Sequence, residues 1–116
     1  MSEGFRTVLF PTADPAAAKA VFTELLGVAP IVDEPYYVGW NIGGQDVGLV
    51  PGGHGNGMTG AVVYWEVDDI KGSVERLEKT GAKIQQDVTG VGGGKLVATM
   101  LDVDGNIFGL SQSPAS

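Results

Sequence analysis

Few side chains in this 116-residue chain are suited to chemistry, and their types narrow the options quickly. There is no cysteine, which excludes disulfides, thiolate metal sites and cysteine nucleophiles together. The single histidine, His54, sits in a glycine-rich stretch. Imidazole is the side chain best suited to general-base work near neutral pH, which makes His54 a candidate, against the plainer reading of a solvated loop residue. Glu66 is a second acid–base candidate if burial raises its pKa, against a strand-end carboxylate that reaches water. Asp68-Asp69 could be read as paired catalytic acids, but adjacent carboxylates at a helix start are accounted for by capping and the helix dipole. Gly90-Val91-Gly92-Gly93-Gly94-Lys95 has the glycines of a phosphate loop without its Lys-Ser/Thr ending or a following helix, and is discounted. Tyr37 and Tyr64 each join an apolar ring to a hydroxyl and are candidate ligand contacts, although strand aromatics more often simply pack.

Composition limits the partners. Apolar residues make up 43% and charged residues 18%, the balance of one folded domain large enough for its own core. Net charge is −7 with no basic cluster, which argues against nucleic acid and anionic membranes as partners. The N-terminal Met1-Ser2-Glu3-Gly4-Phe5-Arg6 has no apolar run that would serve as a signal peptide or span, so a cytoplasmic protein is expected. The 19 glycines gather at 43–60 and 90–94, between apolar runs, and read as turns and loops.

These residues must be positioned by strands and helices whose signals are clear. Phe5 to Thr12 reads as a strand. Asp14 before Pro15 is a helix start, since proline lacks only an N–H that would be unpaired there. Ala18, Val21, Phe22, Leu25 and Leu26 form one apolar face, and Gly27 ends the helix. Strands follow at Ile31-Val32, Tyr36 to Ile42 and, after Gly43-Gly44, Val47 to Val50. Pro51 and a glycine-rich loop lead to Thr59. The order then repeats: a strand from Ala61 to Val67, the Asp68-Asp69 cap, a helix with Ile70, Val74 and Leu77 inward and Gly81 at its end, then strands at Ile84 to Val88, Leu96 to Leu101 and Ile107 to Ser111. Asp104-Gly105 between the last two is a strong hairpin signal. Its sequel Gly105-Asn106-Ile107-Phe108-Gly109-Leu110 repeats the spacing of Gly44-Gln45-Asp46-Val47-Gly48-Leu49. Displacing one half by about 55 residues sets Thr7 on Val62, Phe10 on Trp65 and Asp14 on Asp69. The chain is written twice, as two βαβββ modules covering about 5–52 and 61–112 with a linker at 52–60, in the α+β class.

Local register assigns the faces. A two-residue loop at Gly43-Gly44 sets Ile42 opposite Gln45, Trp40 opposite Val47 and Gly39 opposite Gly48. Val38, Trp40, Ile42, Val47 and Leu49 then form an apolar face for a helix, and Tyr37, Gly39, Asn41, Asp46 and Gly48 a polar, small-residue face suited to a cavity. Alternation sends Val8, Phe10, Val63, Trp65 and Val67 towards the helices, which makes Trp65 and Trp40 core residues rather than ligand platforms. Thr7, Leu9, Val62, Tyr64 and Glu66 are left for the other face. A two- or three-residue loop at Asp104-Gly105 would exchange Thr99 with Met100, so the facing of that strand stays open.

Together, strand–Asp14–helix–Leu26-Gly27, Trp65-Glu66-Val67-Asp68-Asp69 leading to Gly81-Ala82, and Asp102-Val103-Asp104-Gly105-Asn106 resemble the vicinal oxygen chelate superfamily, the glyoxalase/bleomycin-resistance/dioxygenase proteins, over nearly the whole chain. The resemblance implies two tandem βαβββ modules forming a cupped mixed sheet, often in a homodimer, with the cavity closed within one chain or across two. It places metal ligands seven residues before each helix-start Asp and three after the hairpin Gly-Asn. Carried over, these positions are Thr7, Val62, Gly109 and, in the first half, Gly48. None supplies the imidazole or carboxylate that a divalent ion needs. No metal and no cofactor are therefore expected. The leading expectation is a metal-independent binder of a small organic, aromatic or natural-product ligand, resembling bleomycin-resistance proteins, with Thr7, Leu9, Tyr37, Asn41, Gly48, Val62, Tyr64 and Gly109 lining the site. The alternative is a metal-independent isomerase, cyclase or lyase that uses Glu66, His54 or a tyrosine as acid–base.

Overall fold

The computed structural model describes residues 2–114, with residues 2, 3 and 56 as backbone only. Arg6–Val62 form one compact unit, and the chain from Val63 onward, joined by the residues up to Phe5, forms the other. Each carries one turn of the repeated βαβββ plan.

In the first unit, β1 (Ser2–Thr12) leads to α1 (Pro15–Leu26). The helix begins where the sequence says it must. Asp14 accepts a hydrogen bond from the Ala17 N–H at 3.1 Å, Pro15 opens the first turn, and Gly27 at φ +76° closes the last one in the left-handed region. Then come β2 (Val32–Glu34), β3 (Tyr37–Ile42), β4 (Gln45–Pro51) and a short 3-10 turn, Gly53–Asn56. The strands lie in the order β2-β3-β4-β1, antiparallel except for the parallel β1–β4 pair. The β3–β4 hairpin has the register read from Gly43-Gly44, with Ile42 opposite Gln45 and Gly39 opposite Gly48.

One face of this sheet is covered by α1. Val38, Trp40 and Leu49 are buried there, with Phe10, Ala18, Phe22, Leu26 and Val47 packed around them. Phe22 sits at the centre, its ring 5.0 Å from Phe10 and 6.0 Å from Trp40. The Trp40 indole N–H donates to the Val28 carbonyl at 3.0 Å, so a large aromatic is buried with no polar atom stranded. Only part of the apolar helix face takes part. Ala18, Phe22 and Leu26, four residues apart, meet the sheet, whereas Val21 and Leu25 face outward, Leu25 with 71% of its surface exposed. A helix seated on two strands, β3 and β4, contacts them with a narrower stripe than its composition offers. Ile42, expected on the packed face, is likewise exposed at the hairpin tip, beyond the reach of the helix.

The second unit repeats the arrangement: β5 (Val62–Val67), α2 (Ile70–Lys79), β6 (Lys83–Gly90), β7 (Leu96–Leu101) and β8 (Ile107–Gln112), in the order β5-β8-β7-β6 with β5 and β8 parallel. Asp69 caps α2 through the Gly72 N–H, and the Ile70 N–H donates to the Gln112 side chain at 2.8 Å, tying the end of β8 to the first helical turn. Val67, Ile70, Val74, Ala98, Met100 and Leu110 form the core. The β7–β8 connection closes as a three-residue loop: the Asp102 N–H donates to the Asn106 carbonyl at 3.0 Å and Gly105 takes φ +84°. That count settles the facing. Met100 is buried under α2, and Thr99, opposite Gly109, points to the other face.

One assignment is corrected here. Trp65, expected in the core, is 39% exposed. Its strand parity is as read, opposite Leu110, but α2 packs mainly over β6, β7 and β8 and on β5 covers Val67 rather than Trp65. Among the described residues no helix is long and apolar enough to cross a membrane.

Candidate functional site

The faces that look away from the helices carry most of the side chains singled out by type. On the first unit, Thr7 lies opposite Asp46, Leu9 opposite Gly48, Gly39 opposite Gly48 and Asn41 opposite Asp46, so all six share one face with Tyr37. Asn41 donates to the Asp46 carboxylate across the hairpin at 2.9 Å. The Tyr37 ring covers the Gly39–Gly48 pair. A Cβ built on Gly48 would stand 2.6 Å from the Tyr37 Cε1 and Cζ, and one on Gly39 2.6 Å from its Cε2. Neither glycine has an unusual φ, so both are glycine because the ring needs the space, not because the backbone does.

Thr7 is the other distinctive residue here. It is 8% exposed, and its hydroxyl has no hydrogen-bond partner among the described residues. An orphaned buried hydroxyl costs roughly 1–3 kcal/mol, and such groups are uncommon in folded proteins.

The second unit presents a related face. Tyr64 stands opposite Gly109, Glu66 opposite Ser111 and Thr99 opposite Gly109. The Tyr64 ring covers Gly109 as Tyr37 covers Gly48: a Cβ there would be 2.6 Å from the Tyr64 Cγ and Cε2. Burial pushes the Tyr64 phenol up, so it stays protonated and can donate a hydrogen bond across the neutral range. The Thr99 hydroxyl is taken by Gln85. Val62 is fully buried and offers no free surface to a ligand.

Glu66 is 7% exposed and held on both oxygens, by the Ser111 hydroxyl at 3.0 Å and the Ser113 N–H at 3.0 Å. Burial by itself would raise its pKa. The hydrogen bonds from Ser113 and Ser111 and the Lys95 ammonium outweigh that and hold it below the usual glutamate range. The raised pKa that base chemistry would call for is therefore not what its surroundings produce. His54 is exposed in the 3-10 turn.

A divalent ion does not fit these residues. The four positions at which the resemblance implies ligands hold Thr7, Gly48, Val62 and Gly109, and at both glycines a Tyr ring already fills the space any longer side chain would need. Among the described residues no three His, Asp or Glu are grouped to hold a metal.

Sequence reasoning assigned Tyr37, Gly39, Asn41, Asp46 and Gly48, together with Thr7, Leu9, Val62, Tyr64 and Glu66, to a cavity lining, and took Gly109 from the family resemblance. It missed the clamp of Ser111 and Ser113 on Glu66, and Gly39 as the second half of a tyrosine seat. The signal for the seat was present as Tyr37-x-Gly39 opposite Gly48.

Residues 4–110 match the family model described as Glyoxalase/Bleomycin resistance protein/Dioxygenase superfamily. No curated protein matches the chain in sequence. Several solved structures are similar in fold. A glyoxalase/bleomycin resistance protein/dioxygenase superfamily member from Vibrio splendidus 12B01 superposes with a TM-score of 0.71 at 18% identity, covering 94% of this chain and 99% of that one. The Mn(II)-bound glyoxalase from Novosphingobium aromaticivorans gives 0.72 at 18% identity, over 100% of this chain and 43% of its own length. Methylmalonyl-CoA epimerase from Mycobacterium tuberculosis gives 0.69 at 16% identity, over 99% and 90%. At these identities the likeness is one of fold.

Proposed function

The chain belongs to the glyoxalase/bleomycin resistance protein/dioxygenase superfamily, and we propose that within it the protein binds a small, flat organic ligand without a metal ion. The observation that carries this reading is the Thr7 hydroxyl, buried without a partner on the face that also holds the Tyr37 seat. The hydroxyl is closed to solvent in the ligand-free chain, so a ligand would reach it by displacing a side chain around it, and the cost of leaving it unpaired favours that exchange. Leu9 and the exposed side of the Tyr37 ring supply apolar and stacking surface, and the Asn41–Asp46 pair a polar edge. Tyr64 offers the same type of surface on the second unit. Sequestration of an aromatic or natural-product compound, as in bleomycin-resistance proteins, is the concrete form of the proposal.

An acid–base enzyme of the same family is the second reading. Glu66 gives it little support, since a carboxylate stabilised as the anion is a weak base near neutral pH. A homodimer is proposed as well, because Val21 and Leu25 leave an apolar strip on α1 open to solvent. Light scattering on Leu25→Glu against the unmodified chain tests it. A dimer should become a monomer, and an unmodified chain that is already monomeric refutes the dimer.

The ligand proposal is tested by titrating metal-stripped protein with bleomycin and with simple polycyclic aromatics in EDTA. Saturable binding unaffected by EDTA and weakened in Thr7→Val is the expected outcome. Stoichiometric, tightly held metal in the purified protein would overturn the metal-independent reading. A turnover lost in Glu66→Gln or His54→Ala would favour the enzyme.

A further inference from the structure

On the opposite side of the second unit, away from the face just described, lies a cleft of about 600 Å³. It is lined by the apolar Trp65, Val67, Leu77, Phe108 and Leu110, with buried Ser73, exposed Arg76 and half-buried Asp102 as its polar residues. The volume falls within the usual range for small-molecule sites. Its origin lies in the repeat. In the first module Phe10, the counterpart of Trp65, is covered by the Phe22 ring of α1. In the second, α2 turns Leu77 and Arg76 towards Trp65 and supplies no aromatic ring, so the indole keeps one side open. Phe5 supports it from the edge, at 5.8 Å and 84°, which fixes the orientation of the indole.

The rim charges are unequal in what they have left to give. Asp102 stays an anion, held so by its own loop: its oxygens accept from the Asp104 N–H at 2.9 Å, the Asn106 N–H at 2.8 Å and the Asn106 side chain at 2.9 Å, so a ligand carboxylate must sit on the Arg76 side of the rim. Arg76 is exposed; its Nη2 reaches the Ser73 hydroxyl only at 3.3 Å, the long end of hydrogen bonding, and its charge also contributes to holding the exposed Asp68 carboxyl below the usual range. A guanidinium carries five donors in a planar fork suited to a carboxylate. An aromatic slot missing its ring, with such a fork at its mouth, is complementary to one chemical class.

We propose that this cleft is a second ligand site, for an aromatic carboxylate whose ring lies against Trp65 between Leu77 and Phe108 and whose carboxylate pairs with Arg76. The site is independent of the face carrying Thr7 and stands whether or not that face binds a ligand.

The test uses 2-naphthoate as the probe and the two indole N–H signals of a ¹⁵N-labelled sample as the readout, Trp65 being assigned with Trp65→Phe. The Trp65 signal should move saturably while that of the buried Trp40 stays in place. Arg76→Gln should weaken 2-naphthoate by about tenfold, the usual effect of losing one charge-assisted pair, and leave the neutral 2-naphthylmethanol unchanged. Leu77→Phe, which supplies the ring that Phe22 supplies in the first module, should abolish binding of both compounds with the fold intact. No saturable movement of the Trp65 signal would overturn the proposal. So would equal affinity in Arg76→Gln, or loss of binding in Thr7→Val with none in Leu77→Phe.

Discussion

The two modules share a plan and differ in what fills it. Each starts a helix with an aspartate cap, pairs its first and last strands in parallel, and lays a tyrosine ring over a glycine on the face away from the helix. Behind the sheets they diverge. The first module closes its helix interface with Phe10, Phe22 and Trp40, whereas the second leaves Trp65 half in water. A repeated backbone does not impose a repeated interior. The strand and cap signals carry the fold, and a single side chain on the helix, Phe22 against Leu77, decides whether the space beneath is core or cleft.

The largest effect should come from removing that side chain. Phe22→Ala is expected to cost about 2–3 kcal/mol, short of the range for a fully buried phenylalanine because its ring is only partly buried, while the more exposed Trp65→Ala should cost clearly less by chemical denaturation. Equal losses would erase the distinction between the modules.

The tyrosine seats come next. Gly109→Ala should destabilise by about 1–3 kcal/mol, as overpacking does, because the new methyl meets the body of the Tyr64 ring. Gly48→Ala should cost a similar amount, since its methyl would stand 2.6 Å from the Tyr37 Cε1 and Cζ. Placing Gly109→Ala in a Tyr64→Ala background should remove most of its penalty. A penalty that persists there would mean that the backbone, not the ring, demands glycine.

Much of this was legible in the sequence, for local reasons. Caps at Asp14 and Asp69, the stop at Gly27 and the Gly43-Gly44 register depend on neighbours a few residues away. Alternation along β3 and β4 separated Trp40 from Asn41 correctly. What could not be read depends on distant partners. Tyr64 meets Gly109 through a parallel pairing 45 residues apart, and Glu66 is tied down by Ser111 and Ser113 for the same reason. Trp65 was misassigned because parity fixes which side a residue faces, not whether a helix covers it. Nor does a threonine in a strand announce that its hydroxyl will lack a partner.

Glu66 gives a smaller, pH-dependent effect confined to the second module. Its pKa is lowered in the folded chain, so its contribution is present above the ordinary glutamate value of about 4.3 and is lost as pH falls through the folded value. Glu66→Gln should cost about 1–2 kcal/mol at pH 7, and the gap in Tm between the two proteins should shrink as pH drops below that range. A gap independent of pH would show that the charge is not what Ser111 and Ser113 hold.

The smallest effect has the opposite sign. Thr7→Val should leave stability unchanged or raise it by about 1 kcal/mol, because an unsatisfied buried hydroxyl is replaced by a methyl of the same shape. A clear loss of stability would mean the hydroxyl has a structural partner.

The most direct test of the central claim is a backbone ¹H–¹⁵N titration of EDTA-stripped protein with bleomycin and a polycyclic aromatic. The account expects the amides of Thr7 and Gly48 to move saturably, and those movements to weaken in Thr7→Val. Amides that stay still, or that move only after a divalent ion is added, would contradict it.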